Sequence, residues 1–161
     1  MSCSPDVRPV LTSEVMAGRG RTGHHGAVTD LTATLHETMP LCATLGARAV
    51  AMGGDEVVLA VDWAPGLCTS GGLLHGGVLM ALADAAGGAC AFANLPEGAA
   101  GTSTIESKTN FLRAVRGGAL TATARPLHVG GTTIVVETEL RDDDGRLVGK
   151  VTQTQAVLRP R

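Results

Sequence analysis

A chain of 161 residues, 44% apolar and 17% charged, suits one globular domain with its own core and excludes an intrinsically disordered one. A net charge of −2 gives no electrostatic footprint for nucleic acid, and no apolar run is read as reaching the ~18–20 residues that cross a bilayer. The opening residues 1–15 lack a basic stretch followed by an apolar one, and Cys3, Cys42, Cys68 and Cys90 show no C-x-x-C spacing, so no secretory leader and free thiols in a reducing, cytoplasmic compartment are expected.

Residues 1–28 carry Gly, Arg, Ser and Pro without periodicity and are read as a flexible N-terminal arm before a domain spanning 29–161. Gly18, Gly20 and Gly23 spell G-x-G-x-x-G, but no apolar strand precedes them, so a dinucleotide site is not expected. His24 and His25 beside them are read as solvated. Thr29 or Asp30 can cap a helix to about Thr38. Pro40 opens a second short helical segment to Leu45, and Gly46 suits its stop. Two strand-like runs follow, Ala47–Met52 and Glu56–Trp63, with Gly53-Gly54-Asp55 as the hairpin turn.

After a loop at 64–72 rich in Gly, Pro, Ser and Thr, Leu74 to about Ala93 reads as a helix whose only polar side chains are His75 and Asp84. A helix apolar all round is expected to be buried. Four more strand-like runs follow: Thr102–Arg113, Ala119–His128, Thr132–Arg141 and Arg146–Leu158. The breaks Gly117-Gly118, Gly130-Gly131 and Asp142-Asp143-Asp144-Gly145 read as hairpin connections. With few aromatics, one Trp and two Phe, the core must come from Ala, Val, Leu and Ile. The fold class expected is α+β: one antiparallel sheet of about six strands wrapped around one long central helix.

The chemistry concentrates on that helix. At about 100° per residue, Val78, Leu79, Leu82, Ala86 and Ala89 share the face that should meet the sheet. Asp84 falls on the opposite side with Gly77, Met80, Ala81 and Gly88, small enough for a ligand or a partner helix to come close. A carboxylate inside an apolar helix is costly unless it is paired, as by a bond to a neighbouring turn, or used. Gly76 and Gly77 would leave free N–H groups at the helix start, where the dipole favours negative charge, which makes an oxyanion site. An anion site and a carboxylate together suit acyl transfer. They lie eight residues apart, roughly 12 Å along the axis, too far for one acyl carbon to reach both. Two antiparallel copies of the helix would bring Gly76 of one against Asp84 of the other, so function requires a two-fold dimer.

The stretch Gly72-Leu73-Leu74-His75-Gly76-Gly77 followed by Leu82-Ala83-Asp84 resembles the hotdog-fold acyl-CoA thioesterases, most closely the phenylacetic-acid-degradation (PaaI-type) branch. Thr102-Ser103-Thr104-Ile105-Glu106 with Asn110-Phe111-Leu112-Arg113 extends the match, over about residues 40–158. The resemblance implies hydrolysis of an acyl-CoA to free acid and coenzyme A, with active sites at the interface of a homodimer or a dimer of dimers. The coenzyme belongs to the substrate and no separate cofactor is implied. In that family the N–H matching Gly76 polarises the thioester carbonyl. The carboxylate matching Asp84, from the other subunit, attacks it or activates water. A Ser or Thr matching Thr104 often orients that water or carboxylate, and His75 often makes hydrogen bonds near the loop. Where this chain has Thr69, relatives often carry Asn or Gln to help hold the site. Thr is shorter, which puts that contact in question.

Other residues have two readings each. His75 is a base or a hydrogen-bonding residue at the helix start. Thr104 is a site residue or an ordinary strand threonine. Gly77 and Gly88 are substrate-facing or simply small. Arg113, Arg116 and Arg125 bind the coenzyme's phosphates or are solvated strand ends. Met80, Leu79 and Phe92 line an acyl tunnel or belong to the core. Glu106 is placed one face away from Thr104 by strand alternation, in a surface or interface ion pair, and Cys90 in the core. His36, His128 and the cysteines lack ligand spacing, so no metal is expected. Without a G-x-S-x-G elbow, a serine hydrolase is not expected. The competitors left are a non-catalytic acyl-CoA or acyl-carrier binding protein and, ranked last, a hotdog dehydratase or hydratase.

Overall fold

The computed structural model describes residues 30–160. The arm at 1–28, with its glycine motif, His24, His25 and Cys3, lies outside the described residues, as does the proposed domain start at 29.

Helix α1 (Leu31–Thr38) starts where Asp30 accepts hydrogen bonds from the Thr32 and Ala33 N–H groups. Helix α2 (Pro40–Leu45) has proline in its first turn and ends on Gly46 in the left-handed conformation. Strands β1 (Arg48–Met52) and β2 (Val57–Asp62) form the expected hairpin, closed by Gly53 N–H to Glu56 O at 2.9 Å. The long helix α3 (Gly76–Ala93) follows, then β3 (Gly101–Phe111), β4 (Ala119–Val129), β5 (Thr133–Arg141) and β6 (Leu147–Leu158). All six strands form one antiparallel sheet in the order β1-β2-β4-β5-β6-β3.

One connection differs from expectation. Gly117-Gly118 does not join neighbouring strands. β3 pairs with β6 along its whole length, from Gly101 opposite Leu158 to Phe111 opposite Gly149, and the chain then crosses to place β4 beside β2. The reason lies in residues 112–118. Val115 is buried and its carbonyl accepts from Leu74 N–H, so the segment runs across the entry to α3. Gly118 sits at φ 72°, and the Asp143 carboxylate fills the space a β-carbon would need. The turns at Gly130-Gly131 and 142–145 are hairpins as read.

Register shifts in β1, β3 and β4 and at the start of β6 curve the sheet around α3. The helix buries Val78, Leu79, Leu82, Ala86 and Ala89 against the sheet, as expected, together with Ala83 and Cys90. From the sheet come Leu59, Val61, Leu120, Ile134, Val136 and Leu140, with Leu35 of α1 closing one side. Truncating a fully buried side chain such as Leu82 to alanine costs about 2–5 kcal/mol.

Two expectations about α3 are corrected. Its 18 residues are long and apolar enough, by length and composition, to cross a membrane. Asp84 interrupts the run in the sequence, but one charge does not undo the hydropathy of the whole segment; here the helix is the core element of the sheet. Nor is it buried all round. Gly77, Met80 and Asp84 are exposed, and Ala81 and Gly88 half-buried, because the sheet covers one side only.

Candidate active site

The entry to α3 is tightly held. The Trp63 indole N–H donates to Gly72 O (3.1 Å), Thr69 N–H to Leu73 O (2.8 Å) and His75 N–H to Leu67 O (2.9 Å). His75 takes the N-cap position, where its Nδ1 accepts from Gly77 N–H at 2.8 Å. A backbone N–H can only donate, so Nδ1 carries no proton and the neutral ring's hydrogen is on Nε2. Of the two readings of His75, this geometry is that of a hydrogen-bonding helix-start residue. It also corrects the oxyanion site: the Gly77 N–H is already spent on His75, while the Gly76 N–H has no partner among the described residues.

The Gly76 backbone lies against the ring of Phe111 at the end of β3, and a β-carbon on Gly76 would stand 3.2 Å from Cε1 and Cζ of that ring. In front of it opens a groove of about 380 Å³, lined by Thr69, Gly76, Leu79, Phe111, Leu112 and Arg113 among others. The groove therefore joins three expected site residues, Thr69, Gly76 and Arg113. The Thr69 hydroxyl makes no capping bond. Phe111 had no role in the sequence reading, though it stands inside the matched stretch.

Asp84 and Thr104 meet in a second cluster further along α3. Thr104 Oγ1 donates to Asp84 Oδ1 at 3.2 Å, and Gln153 Nε2 of β6 donates to the same oxygen. Gln155 Nε2 donates to Thr104 Oγ1 at 2.8 Å, and the Thr102 hydroxyl donates to Gln155 Oε1 at 3.0 Å. Gln153 and Gln155 are 0% and 1% exposed, the two large polar side chains of the core. Sequence reasoning missed both. The signal was there: they lie two and four residues after Val151, on the strand face that carries the core.

A bulge at Ile105 sorts this strand. Thr104 pairs with Gln155 and Glu106 with Thr154, so Glu106 faces away from Thr104 as expected, but through the bulge and not through alternation, which would put both on one face. Among the described residues its side-chain partner is the Thr154 hydroxyl at 3.4 Å, and no ion pair is found there. Arg125 pairs with Glu56 at 2.7 Å on the exposed surface, and it is not among the residues that line the groove. Gly88 is half-buried with open space where a β-carbon would go, and Gly77 is exposed on the turn that His75 caps. Met80 stands exposed between the two clusters, Leu79 is a buried groove wall, and Phe92 is half-buried.

A family model, the thioesterase superfamily, matches residues 71–149, the span from the entry to α3 through β3, β4 and β5 to the start of β6. A protein of Saccharolobus solfataricus named as an esterase is 32% identical over 115 residues, covering 71% of this chain and 81% of the relative. The chain belongs to the thioesterase superfamily. The 1,4-dihydroxy-2-naphthoyl-CoA hydrolase of Escherichia coli is 33% identical over 87 residues, 54% of this chain and 63% of that protein. The solved PaaI protein of the E. coli phenylacetic acid degradation operon superposes with a TM-score of 0.71 over 78% of this chain and 89% of its own at 23% identity, a likeness of fold. The α+β sheet wrapped on one helix is the hotdog fold that the motif implied, and the superfamily's enzymes are thioester hydrolases.

Proposed function

We propose that this member of the thioesterase superfamily is an acyl-CoA thioesterase, carried by a domain over 29–161, that completes each active site with a second copy of itself. The observation that supports this most directly is Asp84. It is exposed on the uncovered face of α3, yet its Oδ1 is fixed by Thr104 and by buried Gln153, and it lies eight residues from the unpartnered amide of Gly76.

In this reading the thioester carbonyl oxygen sits on the Gly76 N–H at the start of α3, where the helix dipole favours the developing negative charge. Asp84 of the partner takes a proton from water as the water oxygen bonds to the carbonyl carbon; the C–S bond then breaks, and the coenzyme thiolate leaves and collects that proton. Where Asp84 attacks the carbon itself, the C–S bond breaks to leave a mixed anhydride and the thiolate, and water then opens the anhydride, returning the Asp84 carboxylate, releasing the free acid and supplying the proton the thiolate takes. Coenzyme A enters and leaves as part of the substrate, and no other cofactor is required. Arg113 at the groove mouth is the candidate for the coenzyme's phosphates, with Thr69 and Gly77 beside the acyl-thioester path and Gly88 leaving room on the helix face. His75 holds the helix start. Two features favour a second copy of the chain. The face of α3 with Gly77, Met80 and Asp84 is uncovered, and edge strand β3 is exposed along most of its length, with Ile105 exposed and Phe111 half exposed where it leans on the helix start.

The deciding assay measures coenzyme A release from short, medium, branched and aryl acyl-CoAs, comparing the wild type with Asp84→Asn. Turnover of some member, lost by about a hundredfold or more in the variant, is expected for removal of a base or nucleophile. Tight acyl-CoA binding with no turnover would replace the enzyme with a binding protein on the same fold.

A further inference from the structure

The carboxylate cluster is directional. An ionised carboxylate only accepts hydrogen bonds, so the Gln153 amide must turn its nitrogen toward Asp84. That leaves Gln153 Oε1 buried without a partner among the described residues, a cost set against the bond its nitrogen makes to Asp84. The oxygen lodges against α3 at Gly87, three residues past Asp84. A β-carbon on Gly87 would stand 2.0 Å from Gln153 Oε1 and 3.0 Å from its Cδ, so the amide reaches the carboxylate through a slot that only glycine leaves open.

Thr104 is polarised in the same direction. Its oxygen accepts from Gln155 Nε2 at 2.8 Å and from Gln153 Nε2 at 3.3 Å, so its single proton is left to point at Asp84 Oδ1. Gln155 is held in turn by the Thr102 hydroxyl on its Oε1. The donors converge on one oxygen, from Thr102 through Gln155 and Thr104, and from Gln153 both directly and through Thr104. Among the described residues, Oδ2 accepts from none.

We propose that Gln153 and Gln155, admitted by Gly87, are positioning residues that clamp Asp84 through Oδ1 and present Oδ2 as its reacting atom. This rests on the hydrolase reading above and goes further in assigning which oxygen reacts and which core amides hold it. Neither glutamine touches substrate. They act through Asp84, and so should set the rate of the chemical step and leave substrate affinity alone.

The test measures steady-state kinetics of Gln153→Met, Gln155→Met and Gly87→Ala on the acyl-CoA the wild type turns over, with Asp84→Asn beside them and thermal melts of each. Gln153→Met is expected to lower kcat tenfold or more with KM within twofold. Gln155→Met should do the same more weakly, through Thr104. Gly87→Ala should lower kcat in the wild type but much less in a Gln153→Ala background, where the slot is already empty, because the two residues act through one contact. A folded Gln153→Met with kcat within twofold of the wild type, beside an inactive Asp84→Asn, overturns the positioning role and leaves the hydrolase reading standing. If Gln153→Met does not fold, Gln155→Met and Gly87→Ala carry the same comparison. Absence of turnover in the wild type overturns the hydrolase reading instead, whereas full activity in Asp84→Asn leaves a hydrolase but removes Asp84 from its chemistry and overturns the clamp. Crystal structures of the wild type and Gln153→Met then decide the clamp alone: one Asp84 rotamer in the first and several in the second support it, and an unchanged single rotamer overturns it.

Discussion

The Phe111 ring stands so close over Gly76 that a β-carbon there would meet two of its atoms at 3.2 Å. Glycine at 76 therefore does more than expose an amide: it lets the groove wall close down on the helix start. Gly76→Ala should leave the fold intact, since the ring is half exposed and can give by a few tenths of an ångström. The displaced ring and the new methyl should both intrude where the thioester carbonyl docks. A loss of tenfold or more in kcat/KM is expected, on the scale of ~1.4 kcal/mol or more in transition-state binding. Steady-state kinetics with a thermal melt check this; alanine keeps the backbone N–H, so a fully active Gly76→Ala enzyme would mean that the thioester carbonyl does not dock in the space between residue 76 and Phe111.

His75 separates capping from catalysis. Its Nδ1 is committed to the Gly77 N–H, so it is not free to take a proton there. His75→Ala should destabilise the protein by about 1 kcal/mol through the lost cap. His75→Asn restores a capping side chain and should regain most of that stability while keeping kcat within about tenfold, below the scale of losing a general base. A folded His75→Asn protein without activity would make the imidazole itself part of the chemistry.

Much of the fold was legible because its signals are local. Apolar alternation marks the strands, Gly46 and Asp30 mark helix ends, and the H-G-G start with Asp84 eight residues past its first glycine marks the helix that carries the chemistry. What the sequence hid is non-local. Gly117-Gly118 reads as a hairpin from its neighbours, yet β3 takes as its partner a strand some forty residues later, and nothing within β3 says so. The bulge at Ile105 decides which β3 side chains face the core, and alternation alone puts Thr104 and Glu106 on the same side. Gln153 and Gln155 carry no sign of burial in their own residue type; only Val151, in phase with them and in the core, gives it. Asp84 was placed on the correct side of α3, but an apolar helix tells only that its faces avoid water. It does not tell whether this chain's own sheet covers them.

Cys90 gives a pH dependence independent of the site. Burial pushes its thiol up to about 11, from an ordinary value of 9.0. The folded state then holds the proton over a range in which the unfolded chain releases it. The contribution to stability is complete below about pH 9 and is lost as the pH climbs toward 11. Urea melts at pH 8 and pH 10.5 should show the wild type losing more stability across that interval than Cys90→Ala. Under native conditions at pH 8, alkylation should mark half-buried Cys68 well before buried Cys42 and Cys90. Equal alkylation of the three would contradict the burial.

A site divided between two chains makes the strongest prediction. Residue 80 lies midway between Gly76 and Asp84, so an antiparallel pairing that sets each of those against the other places the exposed Met80 near the two-fold axis, beside its own copy. Met80→Glu would put two like charges together in an apolar contact, and should shift the protein to monomers by light scattering with loss of thioesterase activity. Complementation tests the same geometry without weakening the dimer. Asp84→Asn chains and Gly76-disabled chains should each be inactive alone. Unfolded together and refolded, half the dimers are mixed, and each mixed dimer regains one intact site built from Gly76 of one chain and Asp84 of the other. Activity should recover to about a quarter of the wild type. No recovery, from dimers shown by mass spectrometry to be mixed, would mean that each chain builds its site alone, and the 12 Å separation along α3 would then have to be bridged within a single subunit.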